Sequence, residues 1–275
     1  MRSKQLLRQI QKLVPHILLN KLQDIHSRLM LHWILHGRSQ SLISSQKSVV
    51  VFSPHQDDET LGCGGMIALK RECGVPVKVV FLTDGQGSHA GNPQIKPEEL
   101  IQIRQQEAET ALGILGVEPS EIYFLKHLDG TLQHLLGEQR QYVIDQIAQL
   151  LKSCKPEEVY VPHRKDCHKD HEATYELVQA AIAKSEIQVE LLQYPIWLFW
   201  RAPLFVILQL KDIAAAYRLS IDAVQNKKKR AIEAYSSQVL SLPRSFLKRF
   251  FEPNEIFFKS ELINKSEAVK AKSRI

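Results

Sequence analysis

The sequence predicts an α/β fold: a Rossmann-like, mostly parallel sheet covered by helices on both faces, with a basic helical N-terminal extension. Between residues 48 and 193, short apolar segments rich in β-branched residues alternate with longer segments of helical periodicity. That alternation is typical of parallel strands joined by right-handed helical crossovers. The extension stands out by its charge, because residues 1–48 hold eight Lys and Arg against one Asp, whereas the whole chain carries +6.

The alternation places strands and helices in order along the chain. We expect strands at 49–52, 77–82, 122–125, 159–161 and around 189–193. We expect helices from the first strand to about residue 73, and over about 98–115, 138–152, 168–184 and 221–235. The apolar stretch 196–210 contains Arg201 and Pro203, so we interpret it as lid or edge elements and not as a membrane helix.

Composition restricts the class of protein. With 44% hydrophobic and 24% charged residues, the chain is typical of globular proteins. The near-neutral body argues against a nucleic-acid-binding core. The four cysteines form no C-x-x-C pair, which predicts reduced thiols and a cytoplasmic location. No segment approaches the roughly 18–20 uninterrupted apolar residues of a membrane span, and the N-terminus lacks the continuous apolar core of a signal peptide.

A histidine and three carboxylates follow the first predicted strand, in the sequence Ser53-Pro54-His55-Gln56-Asp57-Asp58-Glu59. Open α/β sheets place their ligands beyond the carboxyl ends of the strands. Imidazole and carboxylate together suit a divalent metal with an open coordination position. The alternative is that the carboxylates only complement the positive end of the following helix.

A second polar cluster, residues 163–171, follows the fourth predicted strand and contains three histidines and two aspartates. His168 and His171 are three residues apart, so both can face one point in a helical turn. The intervening strands lead to Asp84 and Asp129. Because the carboxyl ends of parallel strands share one edge of a sheet, these side chains are expected to converge on a metal site.

The donor set favours a catalytic metal site over a structural one. Two imidazoles and one carboxylate leave a coordination position open, whereas structural zinc sites close with four protein ligands. Such a metal lowers the pKa of water and polarises a carbonyl group. A spare carboxylate could accept a proton and a spare histidine could protonate a leaving group. The clusters therefore predict metal-assisted hydrolysis of an amide.

The two clusters resemble the motifs of the PIG-L/LmbE-like deacetylase family, which removes acetyl groups from N-acetylglucosamine units in glycolipids, thiol cofactors and antibiotics. His55-Gln56-Asp57-Asp58-Glu59 is similar to the family's His-Pro-Asp-Asp-Glu, with Gln56 in place of proline. His168-Lys169-Asp170-His171 is similar to its His-x-Asp-His. The resemblance covers about residues 48–240.

The resemblance implies a role for each site residue. The metal ligands would be His55, Asp58 and His171, with Zn²⁺ as the expected ion. Asp57 would be the general base, His168 the general acid and oxyanion partner, and Asp170 a residue that tunes His168. Arg104 and Asp129 would contact the substrate, an N-acetylated amino-sugar glycoconjugate. Arg104 could instead be a surface residue of its helix, paired with neighbouring glutamates.

The implied domains are a basic helical extension over residues 1–47, a metal-dependent deacetylase domain over 48–240 and a charged C-terminal tail over 241–275. For residues 1–40 two interpretations stay open. The helices could pack on the domain, or their basic and apolar faces could make a peripheral contact with an anionic membrane.

Two other functions are weighed against deacetylation. A nucleotide or nucleotide-sugar binding protein without hydrolase activity is suggested by Gly62-Cys63-Gly64-Gly65. However, Ile67 stands where G-x-G-x-x-G requires its third glycine, and the nearby carboxylates would repel a pyrophosphate. A scaffold that no longer uses its site is disfavoured because every expected metal and proton-transfer residue is present.

Overall fold

The computed structural model describes residues 15–89, 96–202, 208–209 and 215–260. Its described strands are β1 Gln40–Ser41, β2 Val49–Ser53, β3 Val77–Thr83, β4 Ile122–His127, β5 Glu158–Pro162, β6 Glu190–Tyr194, β7 Ala216–Ser220 and β8 Asn254–Lys259. Its described helices are α1 His16–Trp33, α2 Asp58–Glu72, α3 Pro97–Leu115, α4 Gly137–Cys154, α5 Lys169–Ser185, α6 Leu198–Arg201, α7 Gln225–Ala234, α8 Ser236–Val239 and α9 Arg244–Lys248.

The strands form one sheet in the order β1-β7-β8-β6-β5-β2-β3-β4. From β6 to β4 every neighbouring pair is parallel. The five strands expected from the sequence are the five strands of this parallel part. The chain proceeds from β2 towards β4 on one side and from β5 towards β6 on the other, so the strand order reverses between β2 and β5.

Helices cover both faces of the sheet, which confirms the predicted fold class. Alternate residues of a strand point to opposite faces, and on β2 Val49 and Val51 belong to one apolar core while Val50 and Phe52 belong to another. The first core is closed by α2, α3 and α7, and the second by α4 and α5. All residues of β2 are buried, as expected for a central parallel strand.

The C-terminal region differs from the charged tail expected over 241–275. Residues 244–248 form α9, and β8 lies inside the sheet, antiparallel to both β6 and β7. Ile256, Phe257 and Phe258 are buried there, and that burial explains why the segment is folded. Residues 261–275 lie outside the described residues, and the three-part domain division stays a prediction.

The helix α1 packs on the domain, as the first interpretation of the extension proposed. Met30 and Ile34 are buried in a cluster with Leu198 and Phe199 of the α6 region. Residues 1–14 of the extension lie outside the described part of the chain, as do 203–207 and 210 of the stretch 196–210. Among the described helices, none is long and apolar enough to cross a membrane.

Candidate metal and catalytic site

The two polar clusters meet where the strand order reverses. His55 follows β2, and the segment 163–171 follows the neighbouring strand β5 and enters α5. The crevice beyond the strand ends at such a reversal is the usual ligand position in open α/β sheets. The two clusters and Asp129 therefore meet as expected, whereas Asp84 accepts the backbone amides of Gln86 and Asp129 instead.

Three donor atoms converge on one point. The Asp58 Oδ2 atom lies 3.0 Å from His55 Nδ1 and 3.2 Å from His171 Nε2. Ligands about 2.0–2.1 Å from a tetrahedral zinc lie about 3.3 Å apart, so these separations fit a shared ion. His171 Nε2 is buried and faces the Asp58 carboxylate. A nitrogen of His168 lies within 4.8 Å of ring nitrogens of the other two histidines, so it is within reach of the same ion.

The pKa values show how strongly the three donors interact. Burial alone would raise the pKa of Asp58, but His171 and His55 hold it well below its usual range. Burial alone would lower the pKa of His171, but the Asp58 charge and the hydrogen bond with Asp166 outweigh it and raise that pKa to about 9. The pKa of His55 is raised well above its usual value against burial, mainly by hydrogen bonds with Asp129 and Asp170. A site that holds two cationic imidazoles has the electrostatic character to hold a divalent cation.

The other nitrogen of each of these two candidate ligand histidines faces a carboxylate. His171 Nδ1 lies 2.7 Å from Asp166 Oδ2. His55 Nε2 lies 3.1 Å from Asp129 Oδ1 and 3.3 Å from Asp170 Oδ2. Metal-binding histidines generally donate their second N–H in this way, which fixes the ring orientation and strengthens the ligand.

Asp166 is a residue to which the sequence analysis assigned no role. It is fully buried, and besides His171 it accepts hydrogen bonds from the backbone amides of Ile196, Trp197 and Leu198 at 2.9–3.0 Å. It therefore ties a candidate metal ligand to the turn that precedes α6. Its place in the second cluster was visible in the sequence, but its long-range backbone partners were not.

Asp57 is held in a strained turn beside the donors. Its φ of 145° is one that residues other than glycine rarely adopt. Its amide donates to Glu59 Oε2 at 3.1 Å. Burial, followed by the charge of Asp58, raises the pKa of Asp57 to about 7. A carboxylate poised near neutrality is suited to proton transfer.

Arg104 stabilises the turn that contains Asp57. Only 2% of the residue is exposed, so the alternative of a helix-surface arginine is wrong. Its guanidinium donates to the carbonyl oxygens of Gly85 and Gln56 and lies 3.5 Å from Asp57. Gly85 has a φ of 73°, and a Cβ there would lie 3.0 Å from Arg104, so this close approach requires glycine.

His168 lies beside the other two histidines, with ring centroids 4.9 Å from His55 and 4.6 Å from His171. Burial and the charges of those neighbours lower the pKa of His168 to about 2, so it is neutral at physiological pH. Asp170 was expected to tune His168. Instead its carboxylate approaches His55 and accepts the backbone amides of Gly130 and Leu132, because it sits deep in the first turn of α5.

A cavity of about 370 Å³ opens above these residues. His55, Asp57, Asp58, Arg104, Asp129 and His168 line its polar part. Its other wall includes Trp197 and Phe246, whose rings stack with centroids 4.2 Å apart. The cavity thus combines a reactive polar floor with a flat aromatic wall.

Gly62 and Gly65, two of the glycines that suggested nucleotide binding, allow α2 to pack closely against its neighbours. A Cβ on Gly62 would lie 2.3 Å from the Tyr194 ring, and one on Gly65 would lie 2.5 Å from Ile221. These contacts bring α2 close to β6 and to the segment after β7. They explain the glycines without a pyrophosphate.

The sequence pattern of the PIG-L family, described as GlcNAc-PI de-N-acetylase, matches residues 50–182. This match covers just under half of the chain. His55, Asp58 and His171, the ligands implied by the resemblance, are among the residues that converge. Similar curated proteins include the probable N-acetyl-alpha-D-glucosaminyl L-malate deacetylase 2 of Bacillus anthracis, 30% identical over 51% of this chain and 62% of the relative. Another is the uncharacterized deacetylase YaiS of Escherichia coli K12, 28% identical over 54% of this chain and 75% of the relative. The chain thus spans less than two thirds of the length of the Bacillus relatives.

Solved structures show the same PIG-L fold at lower identity. The N,N'-diacetylchitobiose deacetylase from Pyrococcus horikoshii superposes with a TM-score of 0.58, at 23% identity over 78% of this chain and 84% of that one. The zinc-inhibited form of the teicoplanin deacetylase Orf2 superposes with a TM-score of 0.61, at 19% identity over 78% of this chain and 99% of that one. GalB, a 4-carboxy-2-hydroxymuconate hydratase from Pseudomonas putida, superposes with a TM-score of 0.58, at 19% identity over 80% of this chain and 97% of that one. Because the fold also occurs in a hydratase, the reaction must be argued from the site.

Proposed function

We propose that this protein is a metal-dependent deacetylase that removes the acetyl group from an N-acetylglucosamine-type sugar of a glycoconjugate. The observation that carries the proposal is the convergence of His55, Asp58 and His171 beside Asp57 in an open cavity. The PIG-L match and the deacetylase names of its relatives support the same reaction class. Zinc is the proposed ion, held by His55, Asp58 and His171.

The ion would act as a Lewis acid that polarises the acetyl carbonyl and acidifies water. Asp57, whose pKa is raised to about 7, then accepts a proton from the attacking water. Arg104 holds the turn that orients Asp57. This step forms the C–O bond and places negative charge on the carbonyl oxygen.

His168 faces the same cavity as a neutral imidazole with one N–H. That N–H can donate a hydrogen bond to the carbonyl oxygen as its charge develops. The C–N bond then breaks as the nitrogen gains a proton, which gives acetate and a free amine. The role of His168 as the acid stays a prediction, and the pKa values favour Asp57, which already holds the proton from water, as the donor.

Asp129 and Arg104 remain the proposed substrate contacts, although both also have structural partners. Asp129 accepts the amide of Gly87 at 3.0 Å and approaches His55, so its carboxylate fixes one side of the cavity.

Acetate release from a panel of N-acetylglucosaminyl lipids, nucleotides and thiols, with the bound metal quantified in parallel, tests this function. We expect release from at least one class, loss of release after chelation, and recovery when Zn²⁺ is added. A chelator-treated, metal-free protein that keeps full deacetylase activity would contradict the proposal.

We also propose that α1 contacts the surface of an anionic membrane. Its outward face presents an apolar stripe, 36–65% exposed, at helical spacing: Leu18, Leu22, Ile25, Leu29 and Trp33. The basic side chains of Lys21 and Arg28 lie beside this stripe on the helix. An apolar stripe bordered by basic residues is typical of helices that lie in a membrane interface.

Co-sedimentation of the full chain with phosphatidylserine-containing liposomes tests this contact. The double variant Leu22→Ser with Leu29→Ser should lose binding, whereas Leu136→Ser should retain it, because Leu136 is 76% exposed but lies outside α1. Equal sedimentation of both variants with the wild-type protein would exclude the contact.

A further inference from the structure

Asp57, the proposed general base, stands in a backbone conformation that a residue with a side chain disfavours. Its φ is 145°, and strain of this kind persists only where the surrounding groups hold the residue in place. The amide of Asp57 donates a hydrogen bond to Glu59 Oε2 at 3.1 Å. The position of the Glu59 carboxylate therefore helps to set the conformation of Asp57.

Glu59 is fully buried, and both of its carboxylate oxygens accept hydrogen bonds. Besides the amide of Asp57, Oε2 accepts the Ser53 hydroxyl at 3.5 Å. The other oxygen, Oε1, accepts the hydroxyls of Thr60 and Tyr235, each at 2.5 Å. Thr60 is the next residue in the chain and moves with Glu59, so Tyr235 is the partner that ties Oε1 to a distant segment.

Tyr235 is itself held firmly in place. It joins α7 to α8, only 1% of it is exposed, and it belongs to the first apolar core, which α2, α3 and α7 close. Its carbonyl oxygen accepts the backbone amides of Gln238 and Val239 at 3.0 and 2.9 Å. Burial, followed by the charge of Glu59, raises the pKa of Tyr235 well above its usual value, so the hydroxyl keeps the proton that it donates.

Tyr235 lies outside the PIG-L match at residues 50–182, and it is not a lining residue of the catalytic cavity. A hydroxyl in that position can influence the reaction only through the groups that it holds. Proton transfer is sensitive to such support, because a displacement of about 1 Å in a reacting group can cost about 10²-fold in rate.

We propose that Tyr235 is a positioning residue for the deacetylation: through Glu59 it holds Asp57 in the orientation that proton transfer requires. The inference rests on the proposed function, in which Asp57 is the base. Without the hydroxyl, Glu59 Oε1 keeps its Thr60 partner, but the carboxylate can rotate and the amide of Asp57 loses a fixed acceptor. The candidate metal ligands keep their own contacts, so metal binding should not change.

The variant Tyr235→Phe, which removes one oxygen atom, tests the inference with the panel member that the wild-type protein deacetylates. We expect kcat to fall about 10- to 100-fold, while KM and the affinity for Zn²⁺ stay unchanged. Tyr160→Phe is the matched control, because the buried Tyr160 hydroxyl also donates to a buried glutamate, Glu158 at 3.3 Å, away from the catalytic cavity. This control should keep the wild-type kcat.

Hydrogen exchange of the Asp57 amide, followed by NMR in the metal-free protein, gives a readout that does not depend on the reaction. Tyr235→Phe should speed that exchange about tenfold, and Tyr160→Phe should leave it unchanged. If the wild-type protein is active, unchanged kcat or unchanged Asp57 exchange in Tyr235→Phe would overturn the inference alone, as would a loss of Zn²⁺ affinity that matches the loss of kcat. A wild-type protein that releases no acetate from any substrate of the panel would overturn the proposed function, and this inference with it.

Discussion

Metal binding to this protein should release protons, because the raised pKa of His171 and that of His55 keep both imidazoles protonated in the metal-free state. A metal ion binds only the deprotonated ring. At pH 8 Asp57, with a pKa of about 7, is already mostly ionised. We therefore expect His171 to release about one proton per ion at that pH, and His55, whose pKa is also raised, to add to that number.

The size of the pH effect on metal affinity follows from the same pKa values. With a pKa of about 9, deprotonation of His171 at pH 7 costs about 2.7 kcal/mol, at about 1.36 kcal/mol for each pH unit. Release of the His171 proton alone makes the apparent affinity rise about tenfold for each unit increase in pH below about pH 8, and release from His55 makes the rise steeper. Metal should accordingly be lost readily on mild acidification.

Calorimetric titration of the metal-free protein with Zn²⁺, in buffers of different ionisation enthalpy, counts these protons directly. The variant His171→Ala should bind more weakly and release about one proton fewer. An affinity that does not change between pH 6 and pH 8, or fewer than one proton released by the wild-type protein, would refute the electrostatic account of the site.

Four further outcomes are expected. Asp57→Asn should lower kcat about 10²- to 10⁴-fold while the metal content stays unchanged, and loss of metal would instead show a ligand role. Asp166→Asn should weaken Zn²⁺ binding by about 10- to 100-fold, measured by competition with a chelator; unchanged affinity would contradict its orienting role. In the metal-free protein the raised pKa of His171 stabilises the fold below about pH 6.5, and this contribution is lost as pH rises through about 9, so Tm should fall over that interval. A flat Tm would contradict this. Gly62→Ala should cost about 1–3 kcal/mol in denaturant unfolding, because its Cβ would lie 2.3 Å from an aromatic ring of β6. Gly113→Ala, with no atom within 4 Å, should cost nothing and serves as the control.

The parallel strands of the sheet could be predicted because each one is specified by the residues of its own segment. The strand at 49–52 is a continuous apolar run and the one at 77–82 is apolar except for Lys78, and buried parallel strands have that composition. The convergence of His55 and His171 then followed from topology, since both follow the carboxyl ends of strands in one sheet. The site was therefore predictable to the level of which residues meet.

The hydrogen-bond partners within the site were not predictable. Asp170 was expected to act on His168, and Asp166 received no role, yet both face ligand histidines. Which ring a carboxylate meets depends on helix rotation by a fraction of a turn, which spacing does not specify. The position of β8 was missed for a related reason, because its pairing with β6 and β7 joins segments distant in sequence.

The position of β8 in the sheet affects how the chain folds during its synthesis on the ribosome. The five parallel strands are complete once residue 194 has emerged, and local helices can cover them. β7 and β1, however, connect to the rest of the sheet through β8, whose residues 254–259 are synthesised last of all the described strands. Until then the edge of β6 is an open template for pairing with other chains. Nascent chains should thus depend on chaperones most strongly during the interval before β8 arrives.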